Sequence, residues 1–322
     1  MGLGNVPKFF KEKSLRLAKP GAFSFNLAMP DWVEVVILGI IEGITEFLPI
    51  SSTGHLLLAE QWLPRQSDLF NIVIQSGAVL AVLPLFPERW RQLLFRWSEP
   101  ATRDYFLKIL LAFGLTGAGG LILDKKGFKL PEALAPVAWA MLIGGVLFIL
   151  VERWLRGKSL RQEVTWGVAL AVGIGQLVAA IFPGTSRSGA TILCALLLGL
   201  SRPAATEFSF IVGIPTMLAA GGLKIFKALH HPPPGALPER WGLLMLAALV
   251  AAAVSFVVVK WLLRYVQSHT FTVFGWYRVA LGLVIFGLLL GGKAQNHATS
   301  RRGAVLVYDK MIWDNMMAKT AQ

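Results

Sequence analysis

The chain alternates long apolar runs with short polar connections. Apolar runs of about 18 to 20 residues are long enough to cross a hydrocarbon core of about 30 Å as helices. The runs that predict six full spans cover residues 69–86, 104–123, 134–151, 204–222, 242–260 and 274–291. The pattern therefore predicts an all-α polytopic membrane protein.

Two further apolar segments are each interrupted by a short polar break near a proline. The first predicts helices over 33–48 and 55–63, and the second predicts one helix over 164–181 and another that ends near residue 199. Each half is too short to cross the membrane alone. Each segment is therefore predicted to form a re-entrant helix pair that enters and leaves on one side.

The two interrupted segments match one another at a constant offset of 134 residues. The matched pairs are Gly39 with Gly173, Glu42 with Gln176, Pro49 with Pro183 and Ser52 with Ser186. Three full spans lie between the segments, so the two pairs enter from opposite faces. This arrangement is an inverted-topology repeat, whose broken helices meet near the midplane and form the polar site.

The predicted organisation is one integral membrane domain with a tail at each end. The domain covers 31–291, with repeat one over 33–123 and repeat two over 164–260. A basic tail covers 1–30, and a polar tail covers 292–322.

Composition agrees with a membrane location. The chain of 322 residues is 55% hydrophobic and only 15% charged, with a mean hydropathy of +0.61; soluble proteins carry about 25% charge. The net charge of +13 is compatible with nucleic acid, but the basic residues lie beside Trp and Phe, as in ERWRQLLFRW. Anchoring at the membrane surface explains that pattern, so no nucleic-acid partner is predicted. The single cysteine, Cys194, excludes an internal disulfide.

The distribution of Lys and Arg predicts an orientation. Connections on the side opposite the termini carry more basic residues than those on the terminal side. The positive-inside rule then places the termini, and the mouth of the first re-entrant pair, outside the cytoplasm. The basic N-terminal tail favours the opposite orientation.

The first break carries the strongest chemical signal. Glu42 and Glu46 are four residues apart and lie on one helix face. A charged side chain inside a membrane costs roughly 2.5 to 3.5 kcal/mol on insertion scales, so the pair indicates function. The polar residues that follow are Ser51, Ser52, Thr53 and His55. A hydroxyl helix cap with snorkelling glutamates is the alternative, but it leaves the acids and His55 unexplained.

The second break, PGTSRSGAT, predicts an oxyanion site. Its polar residues are Thr185, Ser186, Arg187, Ser188 and Thr191. A guanidinium beside hydroxyl groups and a helix start suits phosphate. The alternative places Arg187 at the membrane surface, with small residues that serve helix packing.

Together the two breaks predict a phosphate-handling site. Glu42 and Glu46 are predicted to hold a divalent cation; alternatively, one glutamate orients His55. Ser52 or His55 is the candidate nucleophile, with the other in proton transfer. The sequence does not decide between these residues, or between them and direct attack by water.

Several isolated polar residues are interpreted as structural. Gln75 and Glu207 lie on spans near the same core; they are interpreted as satisfied structural polar groups, with support of the site as the alternative. Gln176 is either a supporting residue of the site or a buried helix contact. Arg278, beside Trp276 and Tyr277, is interpreted as an anchor in an interfacial aromatic belt, with contact to a lipid headgroup as the alternative.

The motifs EGITEFLPISSTGH and PGTSRSGAT resemble the two signature motifs of the undecaprenyl-diphosphate phosphatase (bacitracin-resistance) family. EFSFIVGIPTMLAA and FGWYRVALG are similar to later segments of that family, so the resemblance covers about 33–291. It implies hydrolysis of undecaprenyl diphosphate to undecaprenyl phosphate and phosphate, with a divalent cation, Mg or Ca. It also implies a location in the bacterial inner membrane, an active site open to the outer face, recycling of the lipid carrier for peptidoglycan synthesis, and bacitracin resistance. The family's functional residues fall on Glu42, Glu46, Ser51, Ser52, Thr53, His55 and Arg187.

A transporter or lipid flippase is the main alternative, because inverted repeats with broken helices are a transport architecture. A non-catalytic lipid-binding scaffold is a weaker one. The run Ser-Ser-Thr-Gly-His favours an enzyme, since transport needs no nucleophile beside an anion site. The expected partners are a polyprenyl diphosphate and membrane lipids, and a homodimer is compatible with a sequence that does not specify the oligomeric state.

Overall fold

A computed structural model describes residues 29–127, 133–230 and 239–291. Within these ranges the chain forms helices and no β-strand. The helices are α1 (Asp31–Thr45), α2 (Ser52–Ala59), α3 (Asp68–Val82), α4 (Pro87–Phe95), α5 (Pro100–Lys125), α6 (Leu134–Trp154), α7 (Trp166–Ile181), α8 (Arg187–Leu197), α9 (Arg202–His230), α10 (Trp241–Tyr265) and α11 (Thr272–Gly291). The predicted tails fall outside the described residues, apart from 29 and 30.

The six predicted spans are confirmed. Over the described ranges, six helices are long and apolar enough to cross a membrane: α3 with the short 3-10 turn Leu83–Leu85, α5, α6, α9, α10 and α11. The chain is therefore a multi-pass all-α membrane protein. Most ends agree with the sequence within a few residues, but α9 continues eight residues past the predicted end at 222. Lys224 and Lys227 extend this helix beyond its apolar part.

The two interrupted segments form the predicted pairs of short helices. Proline explains why the first helix of each pair stops. Pro49 has no N–H to donate to the carbonyl of Thr45, and α1 ends at Thr45. Pro183 disfavours helical backbone at Phe182, and α7 ends one residue earlier, at Ile181.

Helix α4 was not predicted, because its nine residues, PERWRQLLF, lie in a basic connection between two predicted spans. Pro87 suits the first position of a helix, where its missing N–H costs nothing. Trp90 donates its indole N–H to the carbonyl of Leu83 at 2.7 Å, which ties α4 to the end of α3. The side chains of Leu94 and Phe95 are 70% and 80% exposed, as expected for a helix that lies on the membrane surface.

The second full span of each repeat packs against helices of the other repeat. Helix α10 packs against α1 and α3, and α5 packs against α7 and α9. The matched glycines Gly39 and Gly173 lie at these contacts. A Cβ on Gly39 would be 2.6 Å from the carbonyl oxygen of Ala247 in α10, and one on Gly173 would be 3.2 Å from that of Ala112 in α5. Close helix approach therefore needs glycine at position 39, whereas a Cβ at position 173 would require its neighbours to shift by a few tenths of an ångström.

Ion pairs join connections that the predicted topology places on the same face. On the terminal side, Asp31 pairs with Arg240, and Lys227 lies 3.4 Å from Asp124. On the opposite side, the carboxylate of Glu152 accepts from Arg202 at 2.5 Å and from the backbone N–H of Phe271 at 2.8 Å.

Candidate active site at the two helix breaks

The two breaks end in the same backbone conformation. Ser51 precedes α2 with φ 74°, and Ser186 precedes α8 with φ 68°. Of all the non-glycine residues described, these two alone have a positive φ. Each side chain caps its helix by accepting a hydrogen bond from a backbone N–H three residues ahead, Gly54 at 3.3 Å and Gly189 at 3.2 Å. The left-handed conformation costs on the order of 1–3 kcal/mol for such a residue, so the surroundings must hold both caps in place.

The equivalent caps correct the register of the repeat at this point. Ser51 and Ser186 differ by 135 in residue number, whereas Pro49 and Pro183 differ by 134. The second break contains one more residue and includes Gly184 with φ 87°. The predicted match of Ser52 with Ser186 is therefore wrong by one residue. Ser52 matches Arg187, and each is the first residue of its helix.

The carboxylate of Glu46 joins the two breaks. Ser52 donates its hydroxyl to Oε2 at 2.7 Å, and the amide of Gln75 in α3 donates to the same oxygen at 3.2 Å. Arg187 donates from Nη2 to Oε1 at 3.2 Å. The side chain of Glu46 is only 4% exposed, so this network is shielded from solvent. Ser52, Glu46 and Arg187, which sequence analysis placed in one site, are therefore in direct contact.

Arg187 has an unused donor. Its Nη1 is buried and has no hydrogen-bond partner in the part of the chain that the structure describes. Its Nη2 also contacts the sulfur of Met217, and its guanidinium lies 5.7 Å from the ring centre of Phe47. A Cβ on Gly213 would overlap the guanidinium, so the glycine provides the space that the arginine occupies. An anionic ligand could accept from Nη1 without disturbing the bond to Glu46.

Glu42 lies one helical turn before Glu46 and is 1% exposed. Its Oε2 is buried and has no hydrogen-bond partner among the described residues. Its counterpart in the second repeat, Gln176, donates to the hydroxyl of Thr116 in α5 at 3.0 Å and is therefore a buried helix contact.

These carboxylates fit a divalent cation only if other ligands complete its shell. No group of three or more His, Cys, Asp or Glu residues suited to a metal occurs within the described ranges. Both oxygens of Glu46 already accept hydrogen bonds, whereas Glu42 has a free oxygen. Such a donor set suits a cation of the Mg²⁺ type, which proteins commonly bind through one or two carboxylates plus water and substrate phosphates.

His55 is engaged at both ring nitrogens. Nδ1 lies 2.7 Å from the carbonyl oxygen of Ser51, and Nε2 lies 2.6 Å from the hydroxyl of Tyr277 in α11. Ser52 directs its hydroxyl to Glu46 instead. Glu46 is therefore the carboxylate in contact with Ser52, one of the two candidate nucleophiles.

The remaining predicted hydroxyl residues differ in their surroundings. The hydroxyls of Ser51 and Ser186 cap their helices, and Ser188 donates to the carbonyl of Leu48 at 3.0 Å. Thr53 is exposed, and Thr185 is half-buried. Direct contact of these five hydroxyl groups with substrate stays a prediction.

Arg278 was misinterpreted as a belt anchor. It is fully buried, at 0% exposure, and donates to the carbonyls of Pro49 at 3.1 Å, Ala140 at 2.9 Å and Gly184 at 3.2 Å. It thus ties both breaks to α6. The signal in the sequence was a single arginine inside a predicted span, where a charge is expensive and commonly functional.

Gln75 was interpreted as structural, but it contacts Glu46 in the site. Sequence pattern cannot find this contact, because it depends on how α3 packs against α1. Glu207 pairs with Arg89 in α4 at the edge of the fold, so its structural interpretation is confirmed.

Comparisons with known proteins identify the family of this chain. The family model described as "Bacitracin resistance protein BacA" matches residues 35–284. An undecaprenyl-diphosphatase of Rhizobium etli (strain CIAT 652) is 51% identical over 263 residues, which cover 81% of this chain and 98% of the relative. One of Xanthomonas axonopodis pv. citri (strain 306) is 52% identical over 258 residues, covering 80% and 97%. A family match over most of the chain, with relatives aligned over nearly their full length, shows that this chain belongs to the bacitracin resistance protein BacA family.

Proposed function

We propose that this protein is a membrane phosphatase that hydrolyses undecaprenyl diphosphate to undecaprenyl phosphate and inorganic phosphate. The contact of Ser52 with Glu46, beside the free donor of Arg187, carries this proposal. This contact brings together a hydroxyl group, a carboxylate that can act as a base and a guanidinium group. The two relatives described above bear the name of this activity.

Ser52 is the proposed nucleophile. Its oxygen attacks the terminal phosphorus while Glu46 Oε2, at 2.7 Å, accepts the proton. The Ser52–phosphorus bond forms, the bond between phosphorus and the bridging oxygen breaks, and undecaprenyl phosphate leaves. Glu46 gives its proton to the departing undecaprenyl phosphate and becomes a carboxylate again. Water then attacks the phosphoserine while Glu46 accepts one of its protons. Glu46 returns that proton to the Ser52 oxygen as the Ser52–phosphorus bond breaks, which releases phosphate and free Ser52.

Arg187 is proposed to hold the transferred phosphoryl group. Its buried Nη1 is available to a phosphate oxygen, while Glu46 fixes Nη2. Ser52 and Arg187 are each the first residue of a helix. Both breaks therefore supply free backbone N–H groups and the positive end of a helix dipole, which stabilise negative charge on a phosphoryl group. Each half of the inverted repeat would therefore contribute one helix N-terminus to the same phosphoryl group.

Glu42, with Glu46, is proposed to bind the divalent cation together with the substrate. Mg²⁺ and Ca²⁺ both take carboxylate and phosphate oxygens as ligands. When bound, the cation would neutralise charge on the diphosphate. Glu42 contributes the oxygen that lacks a partner within the protein.

The proposed location is the bacterial inner membrane, with the active site open to the outer face. The support is the distribution of Lys and Arg, which favours an exterior position for the terminal side and so for the helix pair of the first break. Hydrolysis there would return the lipid carrier to peptidoglycan synthesis and would confer bacitracin resistance. The isoprenoid chain would stay among membrane lipids while the diphosphate occupies the polar site.

The test is phosphate release by purified protein from undecaprenyl diphosphate with added Mg²⁺ or Ca²⁺. We expect release by wild type and at least about a hundredfold loss in Ser52→Ala, since nucleophile and base act as a unit. Ser268→Ala changes an exposed loop serine and should keep full activity. Rapid quenching with substrate labelled in its terminal phosphate should trap phosphoserine in wild type only.

Two outcomes would count against the proposal at different levels. If Ser52→Ala keeps normal activity and no labelled protein forms, water or another residue is the nucleophile. If wild type releases no phosphate but vesicles containing it move a lipid or solute, the protein is a transporter rather than an enzyme.

A further inference from the structure

The ring of His55 is held in a defined tautomer. Nδ1 lies 2.7 Å from the carbonyl oxygen of Ser51, and a carbonyl can only accept. Nδ1 must therefore carry a proton. In the neutral ring, Nε2 is then an acceptor, and the hydroxyl of Tyr277 at 2.6 Å is placed to donate to it.

Tyr277 reaches His55 from a distant part of the chain. It lies in α11, 222 residues away in sequence, beside the buried Arg278 that ties both breaks to α6. The two rings are nearly parallel, with an interplanar angle of 3° and centroids 5.6 Å apart. The position of the tyrosine is thus set by a helix anchored to the breaks.

The contacts that begin at Tyr277 and pass through His55 end at Ser51, the helix cap with a positive φ. The carbonyl of Ser51 accepts from the ring of His55, while the side chain of Ser51 caps α2. Ser51 has φ 74°, a conformation that needs support from its surroundings. The next residue is Ser52, whose hydroxyl contacts Glu46.

We propose that Tyr277 is a positioning residue for the phosphatase reaction, which acts on Ser52 through His55 and the carbonyl of Ser51. The proposal rests on the proposed function. A hydroxyl suits this role because it can donate to neutral Nε2 and accept from protonated Nε2. The ring of His55 therefore stays held when its protonation changes. Tyr277 itself is given no contact with the reacting phosphate.

The kinetic test is Tyr277→Phe, which removes only the hydroxyl and keeps the ring. We expect kcat to fall about tenfold, within the range of coupling between residues in contact, while KM stays constant. In a His55→Gln background, Tyr277→Phe should cause no further loss, because its effect passes through His55. Tyr265→Phe is the matched control, since Tyr265 packs through its ring against Trp261 and Phe274; it should leave kcat unchanged.

A second measurement reports on the ring of His55 and does not depend on enzymatic activity. Nitrogen-15 NMR of histidine-labelled protein distinguishes the two neutral tautomers, and His55→Gln identifies the signal among the five histidines. Wild type should show the proton on Nδ1, and Tyr277→Phe should keep it there while the Nε2 resonance shifts, because Nε2 loses the hydrogen bond that Tyr277 donates. If wild type releases no phosphate, the proposed function fails, while this comparison still tests the inference.

Three results would overturn the inference. The first is wild-type kcat in Tyr277→Phe. The second is a full additional loss in the double variant, which would make Tyr277 independent of His55. The third is a wild-type proton on Nε2, or an unshifted Nε2 resonance in Tyr277→Phe.

Discussion

At the residue scale, Glu42 and Glu46 differ although they lie one helical turn apart, Glu42 within α1 and Glu46 directly after it. Glu46 accepts from Ser52, Gln75 and Arg187, so its oxygens are occupied within the protein. Glu42 keeps a buried oxygen without a partner among the described residues. A buried polar atom without a partner is costly, and the proposed cation would satisfy this one. The two acids are therefore expected to respond differently to mutation.

Glu42→Gln should change the cation requirement. A chelator should abolish phosphate release by wild type, and added Mg²⁺ or Ca²⁺ should restore it. In Glu42→Gln we expect half-maximal activity at about ten- to hundredfold higher cation concentration, because a charged oxygen ligand is lost. The measurement is phosphate release against free cation concentration.

Glu88→Gln is the control for this titration, because Glu88 lies exposed on α4. It should titrate like wild type. An unchanged cation requirement in Glu42→Gln would remove Glu42 from the cation site.

Sequence reasoning found the residues that are chemically unusual where they stand. Acids, hydroxyls and an arginine in apolar runs are expensive, and their cost made Glu46, Ser52 and Arg187 visible before their contacts were known. Gln75 and Tyr277 were not found, because a glutamine or tyrosine in a span is ordinary. Their roles depend on contacts across 29 and 222 residues of sequence. Local pattern contains no information on such contacts.

At the element scale, proline and glycine determine where the helices break and how closely they pack. The existence of both re-entrant pairs followed from Pro49, Pro183 and segment length. The one-residue difference in length between the breaks could not be predicted in this way, because counting from the prolines assumes that the breaks have equal length. The matching positive φ of Ser51 and Ser186 resolves it.

Gly43→Ala should destabilise the contact between α1 and α10. The added Cβ would lie 2.7 Å from the carbonyl oxygen of Ala251 and 2.8 Å from the Cβ of Val254, so the helices must separate. Overpacking of this kind costs about 1–3 kcal/mol. Unfolding of the purified protein in detergent, by heat or denaturant, should show the loss.

Gly117→Ala in α5 provides the comparison. A Cβ on Gly117 meets no atom within 4 Å. Alanine should leave stability unchanged or raise it by about 0.4–1 kcal/mol, because it restricts the unfolded chain. Equal stability of the Gly43 and Gly117 variants would contradict the close packing of α1 and α10.

At the scale of the whole molecule, the repeats are interlocked. Helix α10 of repeat two packs on α1 and α3, and α5 of repeat one packs on α7 and α9. The short helix pair of each repeat is therefore covered in part by a span of the other repeat. This exchange is consistent with a rigid scaffold that presents two breaks to one reaction, since Glu46 from one repeat must meet Arg187 from the other.

The same topology predicts which connections face each side of the membrane. Lys126 directly follows α5 and Lys227 lies in the last turn of α9, and both spans end on the terminal side. Lys158 and Ser268 lie in connections on the opposite side. All four are exposed. Each can be replaced singly by cysteine once Cys194, which is half-buried, has been changed to alanine.

A thiol reagent that cannot cross membranes is added to cells whose inner membrane is intact and can be reached by the reagent from outside. It should label the cysteines at 126 and 227. It should label those at 158 and 268 only after the membrane is opened, because basic connections are retained in the cytoplasm. The opposite pattern would invert the orientation and place the first break toward the cytoplasm. Labelling of 126 together with 158 from one side would contradict the topology itself, because α6 alone connects these two positions and must cross the membrane between them.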